Sequence, residues 1–182
     1  MPYEPPPELA ALSLADIAAQ VEARRLPPLA EWAPAATGES HMAIAADGRW
    51  FHEGGEITRP AMVRAFSGLL LRDAAGNHWL MTPHERLAIE VADAAFIATD
   101  VIRRGDALAF RLNTDDIVLA GPDHPLRSAG EAEAPALYLG VRNGCEARLN
   151  RSTYVQLAEL ALAEGEDWTV TSQGARFSLV PA

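Results

Sequence analysis

AFIATDVIRRGDALAFRLNTDDIVLA, residues 95–120, decides the fold class. Residues 95–102, 107–112 and 117–120 are short runs rich in Ile, Val, Phe and Leu, and the turn compositions Arg103-Arg104-Gly105-Asp106 and Asn113-Thr114-Asp115-Asp116 separate them. Strand formers broken by turn residues at this spacing predict an antiparallel meander, because strands joined by a tight turn must run in opposite directions.

The pattern continues on both sides. Upstream, Met42-Ala43-Ile44 and Trp50-Phe51-His52 read as strands around an Asp47-Gly48 turn, and Trp79-Leu80-Met81 as another strand. Between them Thr58 offers an N-cap and Pro60 an early helical position. Met62, Val63, Phe66, Leu69 and Leu70 then form a helical stripe. Thr82-Pro83-His84-Glu85 has the form of a capping box and predicts one capped turn leading into the alternating Leu87, Ile89 and Val91. Downstream, residues 121–135 carry Pro122, Pro125, Pro135, Gly121 and Gly130 and read as a loop. A hairpin around Arg142-Asn143-Gly144 follows, then a helix over 152–164 capped by Asn150 and stopped by Gly165, then a closing hairpin around Gln173-Gly174. At the start, a Pro- and Glu-rich leader precedes a helix over 12–25 that Pro27-Pro28 ends, and an irregular arm with Trp32 leads into the body.

These elements make an α+β protein. Strand, turn, strand end, cap, helix and hairpin recur in the same order, and a slide of 92 residues sets Ile57 on Leu149, Arg59 on Arg151, Met62 on Tyr154, Val63 on Val155 and Leu70 on Leu162. The sequence therefore predicts two related strand-helix-strand halves with antiparallel sheets. Their expected limits are 1–39 for the N-terminal helix and arm, 40–92 for the first half, and 93–182 for the second half with its meander and C-terminal helix-hairpin.

A chain of 182 residues buries roughly 70% of its unfolded surface, enough for a core without disulfides. Fifteen basic against 25 acidic residues give a net charge of −10, which repels a polyanion and argues against nucleic-acid binding. The apolar runs are far shorter than a membrane span, the N-terminal stretch lacks the basic-then-apolar order of an export signal, and Cys145 is alone; a soluble, cytoplasmic protein is expected.

Several strings resemble the bacterial family called domain of unknown function 1285: Asp47-Gly48-Arg49-Trp50-Phe51-His52-Glu53-Gly54, Ile57-Thr58-Arg59-Pro60, Thr82-Pro83-His84-Glu85, Asp93-Ala94-Ala95-Phe96 and Ser172-Gln173-Gly174-Ala175-Arg176-Phe177. The resemblance spans about residues 30–180. It implies two related halves, the second superficially like a pleckstrin-homology fold, with a ligand or partner site where the halves meet and a role in signal transduction. It implies no established activity.

The chemistry-bearing residues have simpler readings. His41, His52, His78, His84 and His124 show no metal-ligand spacing, Ser67 lacks the glycines of a nucleophile elbow, and Gly54-Gly55 lacks the lysine of a phosphate loop. No catalytic residue, metal or cofactor is predicted. Asp115-Asp116 and Glu131 with Glu133 read as solvated turns. Arg59 and Arg151 each stand at a helix start, where the dipole disfavours cations, so either a shared anion or ion pairs with Glu53, Glu56, Asp93 or Glu146 would explain them. With Trp50, His52, Thr82, Glu85 and Arg142 at element ends they form the predicted ligand-binding set, although core packing also explains Trp50 and capping explains Thr82 with Glu85. The expected function is a non-enzymatic sensor or adaptor with a small anionic ligand between its halves and a protein partner. The alternative is an interaction module without a small ligand, docking through a sheet edge or the Pro-rich arm.

Overall fold

The computed structural model describes residues 3–165 and 167–182; Met1 and Pro2 of the leader, and Glu166, lie outside the described residues. The first half forms a six-stranded sheet from β1 (Ala36–Ile44), β2 (Trp50–His52), β3 (Gly55–Ile57), β4 (Leu70–Arg72), β5 (His78–Met81) and β6 (Glu85–Val91). Its spatial order is β3-β2-β1-β6-β5-β4. The second sheet is built from β7 (Phe96–Arg104), β8 (Ala107–Leu112), β9 (Ile117–Leu119), β10 (Leu126–Glu131), β11 (Ala134–Arg142) and β12 (Cys145–Leu149), in the order β10-β11-β12-β7-β8-β9.

The two orders are the same topology. Each sheet consists of two three-stranded antiparallel meanders whose first and last strands meet at the centre and run parallel, β1 beside β6 and β7 beside β12. The sheets are therefore mixed, not antiparallel. Turn residues advertise hairpins, whereas a pairing between the first and last strands of a unit leaves no local mark.

The halves are related, but through their strands and not through the helices that the 92-residue slide aligned. Helix α2 (Pro60–Ser67) lies between the third and fourth strands of its half, whereas α3 (Arg151–Glu164) follows the sixth strand of the other. Ile44 pairs with Val91 and Ala98 with Leu149, so the topological mate of Leu149 is Val91, not Ile57.

Local chemistry sets the element ends. Ser13 and Asp16 form a full capping box on α1 (Leu14–Ala23), and the Asn150 side chain accepts from Thr153 N–H at the start of α3. Thr58 does not cap α2; Arg59 holds that position in extended conformation without a side-chain bond, and Pro60 supplies the fixed first turn. Thr82 Oγ1 accepts from the Glu85 amide at 3.0 Å, but as part of the tight β5–β6 connection. Residues 121–135 are not wholly loop: β10 is an edge strand, and Pro135, near the start of β11, is tolerated at a strand end.

A single cluster of buried side chains draws on both sheets, with Ile44, Trp50 and Leu70 from the first and Phe96, Phe110, Leu139 and Leu157 from the second half. The arm adds its own cluster, Leu9, Leu12 and Ile17 against Ala109 of β8. Arg104 Nε donates to Leu12 O at 3.0 Å and Arg111 Nη1 to Pro7 O at 3.0 Å, so the leader lies docked along the meander. No helix among the described residues is long and apolar enough to cross a membrane.

Candidate functional site

The halves meet around the β8–β9 turn. Asn113 Oδ1 accepts from Ile97 N–H at 3.0 Å and its Nδ2 donates to Gly48 O at 3.3 Å, tying the β1–β2 turn to the second sheet. Asp115 adopts a left-handed φ of 64°, and the turn closes with Leu112 N–H donating to Asp116 O at 2.8 Å. The result reverses the expectation for this turn: Asp116 is 4% exposed and Thr114 3%. Nothing in the string Asn113-Thr114-Asp115-Asp116 distinguishes its two carboxylates, because the partners that bury one of them come from distant segments.

Those partners are three arginines. Arg24, just past α1, donates from Nε to Asp116 Oδ1 at 2.6 Å. Arg142, the last residue of β11, reaches Asp116 Oδ2 and Ser67 O with Nη2, both at 3.4 Å, and its guanidinium lies 5.0 Å from the Phe96 ring centroid. Arg64 of α2 donates from Nη1 to Thr114 O at 2.6 Å and stands 3.8 Å from Asp116 Oδ1. Thr114 Oγ1 also donates to Asp116 Oδ2, at 2.5 Å. Burial pulls the Asp116 carboxyl upward, but Arg142, the Thr114 hydroxyl and Arg24 outweigh it and hold the group below the usual carboxylate range. Burial lowers the Arg142 guanidinium from its usual value, against the pull of Asp116.

One carboxylate thus serves three guanidiniums from the arm, the first half and the second half. It does not saturate them. Arg142 Nε is buried without a hydrogen-bond partner, and Arg64 Nε and Nη2 have none among the described residues. The cluster borders a cleft of about 390 Å³ whose other walls include Val21, Leu26, Ile117, Leu119, His124 and Gln173. His124 Nδ1 lies 3.0 Å from Gly140 O; a carbonyl only accepts, so Nδ1 carries the proton, and Nε2 has no hydrogen-bond partner among the described residues.

Of the predicted set, Arg142 lines this cleft. Trp50 is 1% exposed and stacks on Phe66 with ring centroids 6.4 Å apart, a core position. His52, Arg59, Glu85 and Arg151 are exposed, and Thr82 is half-buried in its turn. Arg151 lines a separate surface cleft with Glu133, Arg148 and Tyr154. Arg59 and Arg151 therefore share neither a cleft nor a partner. Neither forms an ion pair among the described residues, since Glu56 engages Arg49, Asp93 engages Arg148, and Glu146 engages Arg72 and Arg127. Sequence reasoning missed Arg24, Arg64, Asp116, His124 and Gln173.

Other chemistry is sparse. The thiol of Cys145 is buried and pushed up to about 12 by that burial, so it is not a nucleophilic thiolate near neutrality. Among the described residues, no three His, Cys, Asp or Glu side chains gather where they could hold one metal ion.

The chain matches two family models, Domain of unknown function (DUF1285), N-terminal domain, over residues 27–94, and Protein of unknown function (DUF1285), C-terminal domain, over residues 95–179. The crystal structure of a DUF1285 family protein from Silicibacter pomeroyi DSS-3 is 37% identical, covers 94% of this chain and 97% of that one, and superposes with a TM-score of 0.77. A DUF1285 family protein from Shewanella baltica OS155 is 20% identical over 65% of this chain and 90% of that one, with a TM-score of 0.54, a likeness of fold alone. No curated protein matches the chain.

Proposed function

The chain belongs to the DUF1285 family, and from the geometry of its cleft we propose that it is a non-enzymatic sensor or adaptor that binds a small anionic ligand between its halves and passes the bound state to a protein partner, as in signal transduction. One observation carries the reading: Arg24, Arg64 and Arg142 surround the buried carboxylate of Asp116 at the edge of a cleft, leaving guanidinium donors unused among the described residues. Arginine forks suit the planar recognition of carboxylate and phosphate.

The output follows from where the arginines originate. Arg24 belongs to the arm, Arg64 to α2 and Arg142 to the second sheet, so an anion held among them couples three separately attached segments. A ligand that binds only this arrangement stabilises it by mass action.

The test is a thermal-shift and calorimetric titration of the purified protein with inorganic phosphate and simple carboxylates. The reading requires a melting temperature that rises with ligand concentration in wild type and not in Arg64→Met. Binding that is equally tight in folded Arg64→Met and Arg142→Met proteins would remove it.

The alternative, an interaction module without a small ligand, draws on one observation. Val155 and Leu162 stand seven residues apart on α3, 47% and 54% exposed, on one face of the helix. Capture of a partner that depends on both side chains, together with no binding of any anion, would favour it.

A further inference from the structure

The cleft's own chemistry narrows the ligand, given that the anion reading above holds. Its spare charge is small. Arg24, Arg64 and Arg142 face Asp116, and Asp123 stands on the same rim with no ion pair among the described residues. Asp115, also on the rim, is engaged by Arg111 at 2.8 Å. Three cations against Asp116 and Asp123 leave about one positive charge unmatched, enough for one anionic group, while a polyanion would meet Asp115 and Asp123 as well.

One side of the wall is apolar. Val21 and Leu26, from the end of α1 and the residues after it, are 42% and 41% exposed where they border the cleft, and Ile117, Leu119 and Val141 complete that side. A volume of about 390 Å³ lies within the range of organic-ligand sites, roughly 300–1,000 Å³, and exceeds what an inorganic anion fills. A hydrated inorganic ion would leave Val21 and Leu26 in water; a hydrocarbon or aromatic body would cover them.

We infer that the cleft takes an amphipathic organic monocarboxylate, its head on Arg64 and Arg142 and its apolar body along Val21, Leu26, Ile117 and Leu119. Small-ligand sites commonly combine an apolar surface that supplies affinity with convergent polar groups that fix orientation, and this cleft sets one apolar side against a charged rim.

The experiment is a calorimetric series on the full chain with acetate, butanoate, hexanoate and octanoate at constant ionic strength, with inorganic phosphate as a head-group probe. The expected result is a gain of about fourfold in affinity per added methylene until the apolar wall is covered. Leu26→Asn and Val21→Asn, at exposed positions, take away apolar surface without adding charge; they flatten the series while acetate and phosphate still bind, and Arg64→Met weakens every member. If acetate and phosphate bind but chain length has no effect, the amphipathic ligand is wrong and the anion site stands. The amphipathic ligand is equally wrong if the length dependence survives both asparagine variants. If no member of the series binds, the anion site falls with it.

Discussion

Arg24 Nε and Asp116 Oδ1 lie 2.6 Å apart across a sequence separation of 92 residues, and this contact fastens the N-terminal arm to the turn where the halves meet. Arg24 also donates from Nη2 to Arg64 O at 3.1 Å, so the same guanidinium spans arm, first half and second half. Removing the carboxylate while keeping the guanidiniums leaves partly buried cations unpaired, which is costlier than removing the pair. Asp116→Ala is expected to lose about 3–5 kcal/mol in urea unfolding, and Arg24→Met with Asp116→Leu to lose less than the sum of the single changes. Additive losses would show that the contact carries little coupling.

Asp116 also sets an acid limit. Its carboxyl is held below the usual value in the folded protein, so the stability it contributes is fully present above the ordinary carboxylate pKa and is lost as the pH falls through the depressed folded value. The urea midpoint should therefore fall as the pH drops below about 4. In Asp116→Asn, less stable throughout, that part of the slope should be missing.

Gly144 has a φ of +77°, and a Cβ there would stand 2.4 Å from the carbonyl oxygen of Arg72 in β4. The β11–β12 turn is pressed against the edge of the first sheet, where Arg72 N–H donates to Asn143 O at 2.9 Å. Gly144→Ala should cost about 3 kcal/mol or more, from the left-handed backbone and the clash together. Thermal unfolding checks it, with Gly54→Ala as the comparison: that glycine shares the positive φ, but its Cβ would meet nothing within 4 Å, so only the conformational penalty remains.

Arg59→Ala and Arg151→Ala should each change stability by less than about 0.5 kcal/mol, as exposed side chains without ion pairs among the described residues. Neither should alter binding of any anion that Arg64→Met abolishes. Parallel denaturation and titration of the three variants decide this.

Cys145 should resist iodoacetamide at pH 8 in the native protein and react once the chain is unfolded in urea, because burial holds the thiol protonated. Rapid native labelling would mean that the junction opens locally.

The hairpins and helices are legible in the sequence because their signals are local: Asn143-Gly144 at a tight turn, Ser13 with Asp16 at a helix start, the stripe Met62, Val63, Phe66 on α2. The relation between the halves is legible only in outline. Helices have the more conspicuous periodicity and draw Ile57 onto Leu149, yet the shared unit is the strand pattern with Ile44 beside Val91 and Ala98 beside Leu149. The cleft is least legible. Arg142 stands out from its place at a strand end, but Arg24 and Arg64 resemble any other solvent-facing arginine until the fold carries them to Asp116. Charged residues that meet across long separations leave no spacing to read.

The parallel central pair of each sheet has a mechanical consequence. The chain enters the first unit at the start of β1 and leaves it at the end of β6, so tension applied between those points pulls the two strands past each other along their length. All the hydrogen bonds between β1 and β6 would then be loaded together, in shear, instead of opening one at a time like a zipper. The second unit repeats this with β7 and β12, and only the residues 92–95 separate the two. The molecule is thus two shear-loaded clamps in series on one thread, and the weaker of them sets its resistance to being pulled from its ends.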